Sequence, residues 1–99
     1  MAKSSDPAVE AEKMREMSRW LDAASAELGL DPAVVDLVRT PMLDMIAAVA
    51  HGPTRPGAPM TAMLVGLASD PDDPSEILER VARITALAAD WAPGGEPQG

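Results

Sequence analysis

Apolar side chains recur along this chain at intervals of three and four residues, and proline-containing breaks separate the runs. This spacing puts apolar groups on one face of an α-helix and therefore predicts amphipathic helices. Proline is favoured in the first turn of a helix, and a preceding Asp or Thr can cap that turn. The pairs that predict helix starts in this way are Asp6-Pro7, Asp31-Pro32, Thr40-Pro41 and Asp73-Pro74.

The pattern predicts five helices, over about residues 7–28, 32–39, 41–50, 59–68 and 74–91. The third is apolar around most of its circumference, which predicts a central position. Gly29 is expected to end the first helix in a left-handed conformation. The predicted buried stripes are Met14, Met17, Leu21, Ala24 and Leu28 in the first helix; Val34, Val35 and Val38 in the second; Met60, Met63, Leu64 and Leu67 in the fourth; and Ile77, Val81, Ile84, Ala88 and Trp91 in the last.

The predicted fold class is all-α, a compact bundle of four to five helices. A chain of 99 residues fits one domain and has room for a single modest core. We expect that domain to span residues 7–92, between a flexible N-terminus at 1–6 and a disordered tail at 93–99. The tail is rich in Pro and Gly and carries no apolar anchor.

Composition narrows the classes of function. The net charge of −8 disfavours a nucleic-acid partner, because phosphates would be repelled. The lack of cysteine excludes thiolate catalysis, disulfides, zinc fingers and iron–sulfur clusters. No apolar run approaches the length of a membrane span, and no charged-then-apolar leader opens the chain. We therefore expect a cytoplasmic protein without a cofactor.

The proline- and glycine-rich segment from His51 to Thr61 is the most unusual part of the sequence. One interpretation is a binding surface or anion site, in which the N–H groups of the following helix and the Arg55 side chain hold a phosphate or carboxylate. The other is purely structural, with a helix end and an arginine paired to some carboxylate. The candidate ligand- or partner-binding residues are His51, Gly52, Arg55, Pro56, Pro59 and Thr61.

No complete active site is visible in the sequence. The single His51 has no identifiable catalytic partner, and the serines occupy ordinary helix or cap positions. The acidic run at Asp70, Asp72 and Asp73 lacks the glycine and the terminal glutamate of a calcium loop, which favours a solvated turn and helix cap. Both tryptophans are expected to pack in the core rather than to bind a partner. Catalysis is therefore the least favoured function.

Three strings resemble one small bacterial family of uncharacterised helical domains, over about residues 17–91. They are Trp20-Leu-Asp-Ala-Ala, Glu27-Leu-Gly-Leu-Asp31-Pro, and Ala50-His-Gly-Pro-Thr-Arg-Pro-Gly-Ala-Pro-Met-Thr61 followed by Leu64-Val-Gly-Leu-Ala68. The family is expected to occur alone or joined to molybdenum-cofactor guanylyltransferase-like proteins. The resemblance implies a role near the assembly of molybdopterin guanine dinucleotide, without the fused enzyme's activity. The acidic turn after Ala68 departs from the family pattern.

The leading hypothesis is a non-catalytic accessory or protein-interaction domain, linked to molybdenum-cofactor biosynthesis through this resemblance. The expected partner is a protein, such as a nucleotidyltransferase or a molybdoenzyme maturation factor. The alternative is a small-ligand module with an anion site at the His51–Thr61 loop. A homodimer through the methionine-rich faces of the third and fourth predicted helices stays open.

Overall fold

The computed structural model describes residues 6–92 and 96–97. It confirms an all-α bundle, with helices α1 (Pro7–Glu27), α2 (Pro32–His51), α3 (Ala58–Ala68) and α4 (Pro74–Asp90). Two-residue strands, β1 (Trp91–Ala92) and β2 (Glu96–Pro97), pair in antiparallel fashion after α4 and do not change the class. Most of the predicted flexible N-terminus (1–6) and of the predicted tail (93–99) lies outside the described residues.

Aspartates begin three of the helices, as the sequence predicts. The side chains of Asp6 and Asp31 each accept a hydrogen bond of 2.9 Å from the backbone N–H two residues later. At the other end of α1, Gly29 has φ 72°, the only positive φ among the described residues. The N–H of Leu30 donates to the Ser25 carbonyl and that of Gly29 to the Ala26 carbonyl, which is a Schellman ending.

Helix α2 corrects the predicted boundary at Thr40-Pro41. The two short helices expected there form one helix of 20 residues, with Pro41 in its interior. Proline removes one backbone hydrogen bond from a helix and costs about 3 kcal/mol. The helix continues because Val38 before the proline and Met45 and Val49 after it are buried in the same core cluster. The burial of both halves of α2 in the same core outweighs the local tendency of the proline to break the helix.

The core lies around α2, which contacts each of the other three helices. This agrees with the central position predicted from its apolar circumference. The buried residues of the cluster are Val38, Met45 and Val49 from α2, Ala58 and Val65 from α3, and Ile77, Val81 and Ala88 from α4. The predicted stripe of α4 is thus confirmed, with Ile84 and Trp91 half-buried.

Helix α1 is attached through its C-terminal half only. Its predicted stripe is correct in the middle, where Met17, Leu21 and Ala24 are half-buried, and wrong at the two ends, where Met14 and Leu28 are exposed. The stripe is longer than the surface that α2 offers it, and all of residues 6–16 are exposed. The Arg39 guanidinium donates to Ser18 Oγ at 2.5 Å and helps to fix the contact.

The acidic turn before α4 is held by its own carboxylates. The Asp73 side chain accepts hydrogen bonds from the Ser75 hydroxyl at 2.7 Å and from the backbone N–H groups of Ser75 and Glu76. The Glu76 carboxylate accepts from the Asp70 N–H at 2.5 Å rather than from the Asp73 N–H, so Asp73 and Glu76 do not form a reciprocal capping box. The predicted role of this run as a turn and helix cap is confirmed.

The hydrogen bond from the Ser75 hydroxyl, followed by the one from the Glu76 N–H, holds the pKa of Asp73 below its ordinary value of 3.8. A lowered folded-state pKa stabilises the native state above the unfolded-state pKa, and this contribution disappears as the pH falls through the folded-state value. We therefore expect Asp73→Asn to lower the Tm at neutral pH, with a difference from wild type that shrinks below about pH 4.

Thermal unfolding followed by circular dichroism between about pH 7 and about pH 2 measures this difference. Asn retains an N-capping side chain, so the comparison isolates the charge. Every other carboxylate is common to the two proteins and cancels. A Tm difference that stays constant from about pH 7 to about pH 2 would contradict the prediction that the ionised Asp73 carboxylate stabilises the fold.

Candidate interaction surface

The segment between α2 and α3 is a tight turn that is tied by its own hydrogen bonds. The Thr54 N–H donates to the Val49 carbonyl at 3.0 Å, and the Thr54 hydroxyl accepts from the Gly57 N–H at 3.2 Å. The Gly57 carbonyl in turn accepts from both the N–H and the hydroxyl of Thr61, each at 2.9 Å. These bonds fix the direction in which α3 leaves the turn.

Two glycines of this turn are required by close approach. A Cβ on Gly52 would lie 3.0 Å from the Ala48 carbonyl oxygen, so a side chain would press on α2, and 3.5 Å from the Ala88 carbonyl oxygen, an ordinary contact with α4. A Cβ on Gly57 would lie 2.5 Å from Thr54 Cγ2. Gly52 and Thr61, two of the predicted site residues, thus have structural roles that the sequence did not distinguish from binding roles.

The other predicted site residues, His51, Arg55, Pro56 and Pro59, are exposed. Within the described chain, the Arg55 side chain makes no hydrogen bond or ion pair, whereas Arg15, Arg39, Arg80 and others are engaged. The structural interpretation, in which Arg55 pairs with one of the chain's own carboxylates, therefore does not describe this conformation. Arg55 is an exposed cation available to another molecule.

The start of α3 offers few donors to an anion. The Gly57 N–H is bonded to Thr54, the Ala58 N–H donates to the Arg55 carbonyl at 3.2 Å, and Pro59 has no N–H. The Thr61 hydroxyl already donates to the Gly57 carbonyl. An anion site needs several convergent N–H groups. The geometry here does not favour the small-ligand alternative.

Helix α3 faces the core with the side opposite to the predicted one. Ala58 and Val65 are buried, while the predicted stripe of Met60, Met63, Leu64 and Leu67 is between 48% and 74% exposed. The reason is that every side chain of Ala58–Ala68 is apolar or small, so the sequence carries no polar face to orient the helix. Small residues turn inward and let α3 approach α2 closely. We call these four exposed residues the outer face of α3.

This face lies in a stretch of the chain without acidic residues. Residues 45–69 carry none of the 16 carboxylates and include one arginine, Arg55. Beside it, a groove of about 380 Å³ runs between α3 and α4, lined by Leu64, Ala68 and Ile84 with Arg80 and Arg83 at its rim. Those two arginines each lie 3.4 Å from the Glu79 carboxylate. We use the name docking surface for the outer face of α3 together with the exposed residues at and beside the turn. These residues are His51, Gly52, Thr54, Arg55, Pro56 and Pro59.

Sequence reasoning missed a second exposed apolar group on α1. Trp20 is 69% exposed and lines a shallow depression with Ala24 and Leu28, so its predicted role in the core is wrong. Position 20 lies beside the predicted stripe rather than within it, and that offset was the available signal. Trp91, by contrast, is half-buried.

The described residues contain neither a candidate metal site nor a candidate membrane span. No group of three or more His, Asp and Glu side chains there is arranged to hold a metal ion. None of the four helices is long and apolar enough to cross a bilayer.

A family model described as a domain of unknown function, DUF6457, matches residues 12–96. This chain belongs to that family. The DUF6457 match covers α1 from its second turn onward, all of α2, α3 and α4, and hence the whole docking surface. No curated protein and no solved structure matches the chain.

Proposed function

We propose that this DUF6457 chain is a non-catalytic protein-interaction domain that binds its partner through the docking surface. The observation that carries the proposal is the uncovered outer face of α3. A helix that is apolar on all sides is normally buried on all sides. Here one side is buried against α2 and α4, while four large side chains of the other side remain in contact with water.

The make-up of the surface fits a protein partner. Contiguous exposed apolar residues with a polar rim are typical of protein–protein contacts, and arginine is enriched in them. Met60 and Met63 are flexible side chains that adapt to a partner's shape. The unpaired Arg55 at the N-terminal end of α3 gives the partner a charged group to recognise.

The surface lacks the features of an active site. Its titratable or hydroxyl-bearing side chains are His51, Thr54 and Arg55, and the hydroxyls of Thr54 and of the neighbouring Thr61 are both bonded to the Gly57 backbone inside the turn. His51 forms no side-chain hydrogen bond or ion pair with another described residue, so no group orients it as a base. These points support binding without chemistry.

We extend the proposal to an accessory role in molybdenum-cofactor biosynthesis. Its support is the sequence resemblance described above, from which related domains are expected to be joined to guanylyltransferase-like proteins. The partner proposed on this basis is a nucleotidyltransferase or a molybdoenzyme maturation factor. The docking surface is where this partner would bind, and the cytoplasm is where they would meet.

Affinity purification of the tagged chain from its own cells, followed by mass spectrometry, tests the proposal. We expect wild type to recover a nucleotidyltransferase or a maturation factor, and both Leu67→Glu and Arg55→Ala to recover less, by about tenfold. Leu37→Glu is the matched control, because Leu37 is 61% exposed on α2 and lies outside the docking surface. Equal recovery by all four folded proteins would remove the docking surface from consideration.

A further inference from the structure

We propose that the outer face of α3 pairs with the same face of a second copy of this chain. The two α3 helices run antiparallel, so that Arg55 of each copy lies against the acidic turn Asp70–Asp73 of the other. This inference rests on the proposed function, because it takes the docking surface to be a protein contact. It goes further by assigning the outer face of α3 to a second copy of the chain, in place of the nucleotidyltransferase or maturation factor proposed above, and by setting the register.

The distribution of charge favours a second copy. Two chains of net charge −8 repel each other unless they meet where acidic residues are absent. Residues 45–69 form the longest stretch without an acidic residue, and the outer face of α3 lies within it. Self-association through this face therefore brings eight apolar side chains together without placing carboxylates opposite one another.

The two ends of α3 are complementary in charge. Arg55 lies before its N-terminus and is unpaired among the described residues. Asp70, Asp72 and Asp73 follow its C-terminus. The Asp70 carboxylate accepts a hydrogen bond from the Asp72 N–H, and the Asp73 carboxylate caps α4. The Asp72 carboxylate accepts no hydrogen bond from any described residue. One copy thus carries a free cation at one end of the face and a free anion at the other.

Only an antiparallel arrangement satisfies both ends at once. A two-fold axis through the middle of α3, near Met63, brings the N-terminal end of each helix to the C-terminal end of the other. Each Arg55 then lies near an acidic turn, and the two ion pairs are identical by symmetry. The helix dipoles also align favourably, since each positive end meets a negative end. A parallel pair would place like charges together at both ends.

The size of the face sets the expected strength. An 11-residue helix is about 16 Å long, so the paired strip is small against the roughly 800 Å² per partner of a standard interface. We expect a dimer in concentration-dependent equilibrium, with a Kd of about 10 to 100 μM. Sedimentation equilibrium up to about 500 μM should show the mean mass rising from the 10.3 kDa of one chain toward twice that value.

Leu67→Glu tests the face, because Leu67 is its most exposed member and a glutamate there would place a charged carboxylate in the apolar contact. We expect this variant to stay monomeric over the same range with an unchanged helical spectrum. The control Leu37→Glu should dimerise like wild type. A monomeric wild type at about 500 μM, or equal weakening by the two variants, would overturn the proposal.

A charge exchange tests the register. Arg55→Asp and Asp72→Arg should each raise the Kd by about tenfold, because each converts two attractive contacts into two repulsive ones. The double variant restores both pairs with exchanged signs and should return to within about threefold of wild type. A double variant as weak as the singles would overturn the antiparallel register.

The outcome also separates this inference from the proposed function. If wild type is monomeric and the recovery of a partner protein still depends on Leu67, the docking surface serves a different protein and the second copy is excluded. If wild type is monomeric and no recovered protein depends on Leu67, both proposals fail.

Discussion

Met45→Ala is expected to destabilise the bundle more than any other single truncation to alanine, by about 2 to 5 kcal/mol. Met45 is the largest side chain that is fully buried among the described residues, with 0% exposure, and it lies in the C-terminal half of α2. Removing it forfeits its transfer free energy and leaves a cavity that three helices border. A domain of this size has little stability in reserve, so the loss is a large share of the total.

Urea unfolding followed by circular dichroism at 222 nm measures this effect. Leu37→Ala is the control, because Leu37 lies on the same helix and is 61% exposed. It should cost less than about 1 kcal/mol, since most of its surface is already in water. Similar midpoints for the two variants would mean that α2 is not the centre of the core.

The sequence predicted the helices well where a cap and an apolar stripe agreed. Asp6, Asp31 and Asp73 begin helices, and Gly29 ends one, because each of these effects is local and acts within one turn of the chain. The helix boundary predicted at Pro41 is wrong because the proline destabilises the helix locally, whereas the core packing that offsets this loss involves distant parts of the chain. Met45 and Val49 are buried in the same core cluster as Val81 of α4, and no local pattern reveals that packing.

The orientation of α3 could not be predicted, for a related reason. Periodicity identifies a buried face only by contrast with a polar one, and α3 has no charged residue on any side. The choice between Val65 and Leu67 as the inward residue depends on how closely α3 can approach α2, which Ala58 permits. The same lack of contrast is what leaves a large apolar face uncovered. The lack of a polar face on α3 therefore accounts both for the wrong prediction of its buried side and for the exposed apolar face proposed as a docking surface.

The composition of the chain predicted where the candidate site lies but not which of its residues are structural and which are exposed for binding. Glycine and proline density marked the His51–Thr61 segment as a rigid turn, and the hydrogen bonds of Thr54 and Thr61 account for that rigidity. Which of its residues face outward depends in part on how the turn packs against α4, where Gly52 lies beside the Ala88 carbonyl, and these residues are far apart in sequence. Spacing along the chain carries no record of it.

The conformation of the turn can be tested at Gly57, whose φ of −82° suits any residue. Replacing such a glycine by alanine would ordinarily stabilise a protein by about 0.4 to 1 kcal/mol. We expect Gly57→Ala to destabilise instead, by about 1 to 3 kcal/mol, because its Cβ would lie 2.5 Å from Thr54 Cγ2. Urea unfolding measures the change.

Two further variants give this prediction its controls. Gly66→Ala, in α3, has no heavy atom within 4 Å of the new Cβ and should stabilise the protein, the opposite sign for the same substitution. Thr54→Ser removes the clashing methyl group and keeps the hydroxyl that accepts the Gly57 N–H at 3.2 Å. In the Thr54→Ser background, Gly57→Ala should therefore lose most of its cost. If the cost persists there, the turn is not held by the Thr54–Gly57 contact, and the exposed positions of Arg55 and Pro56 need another explanation.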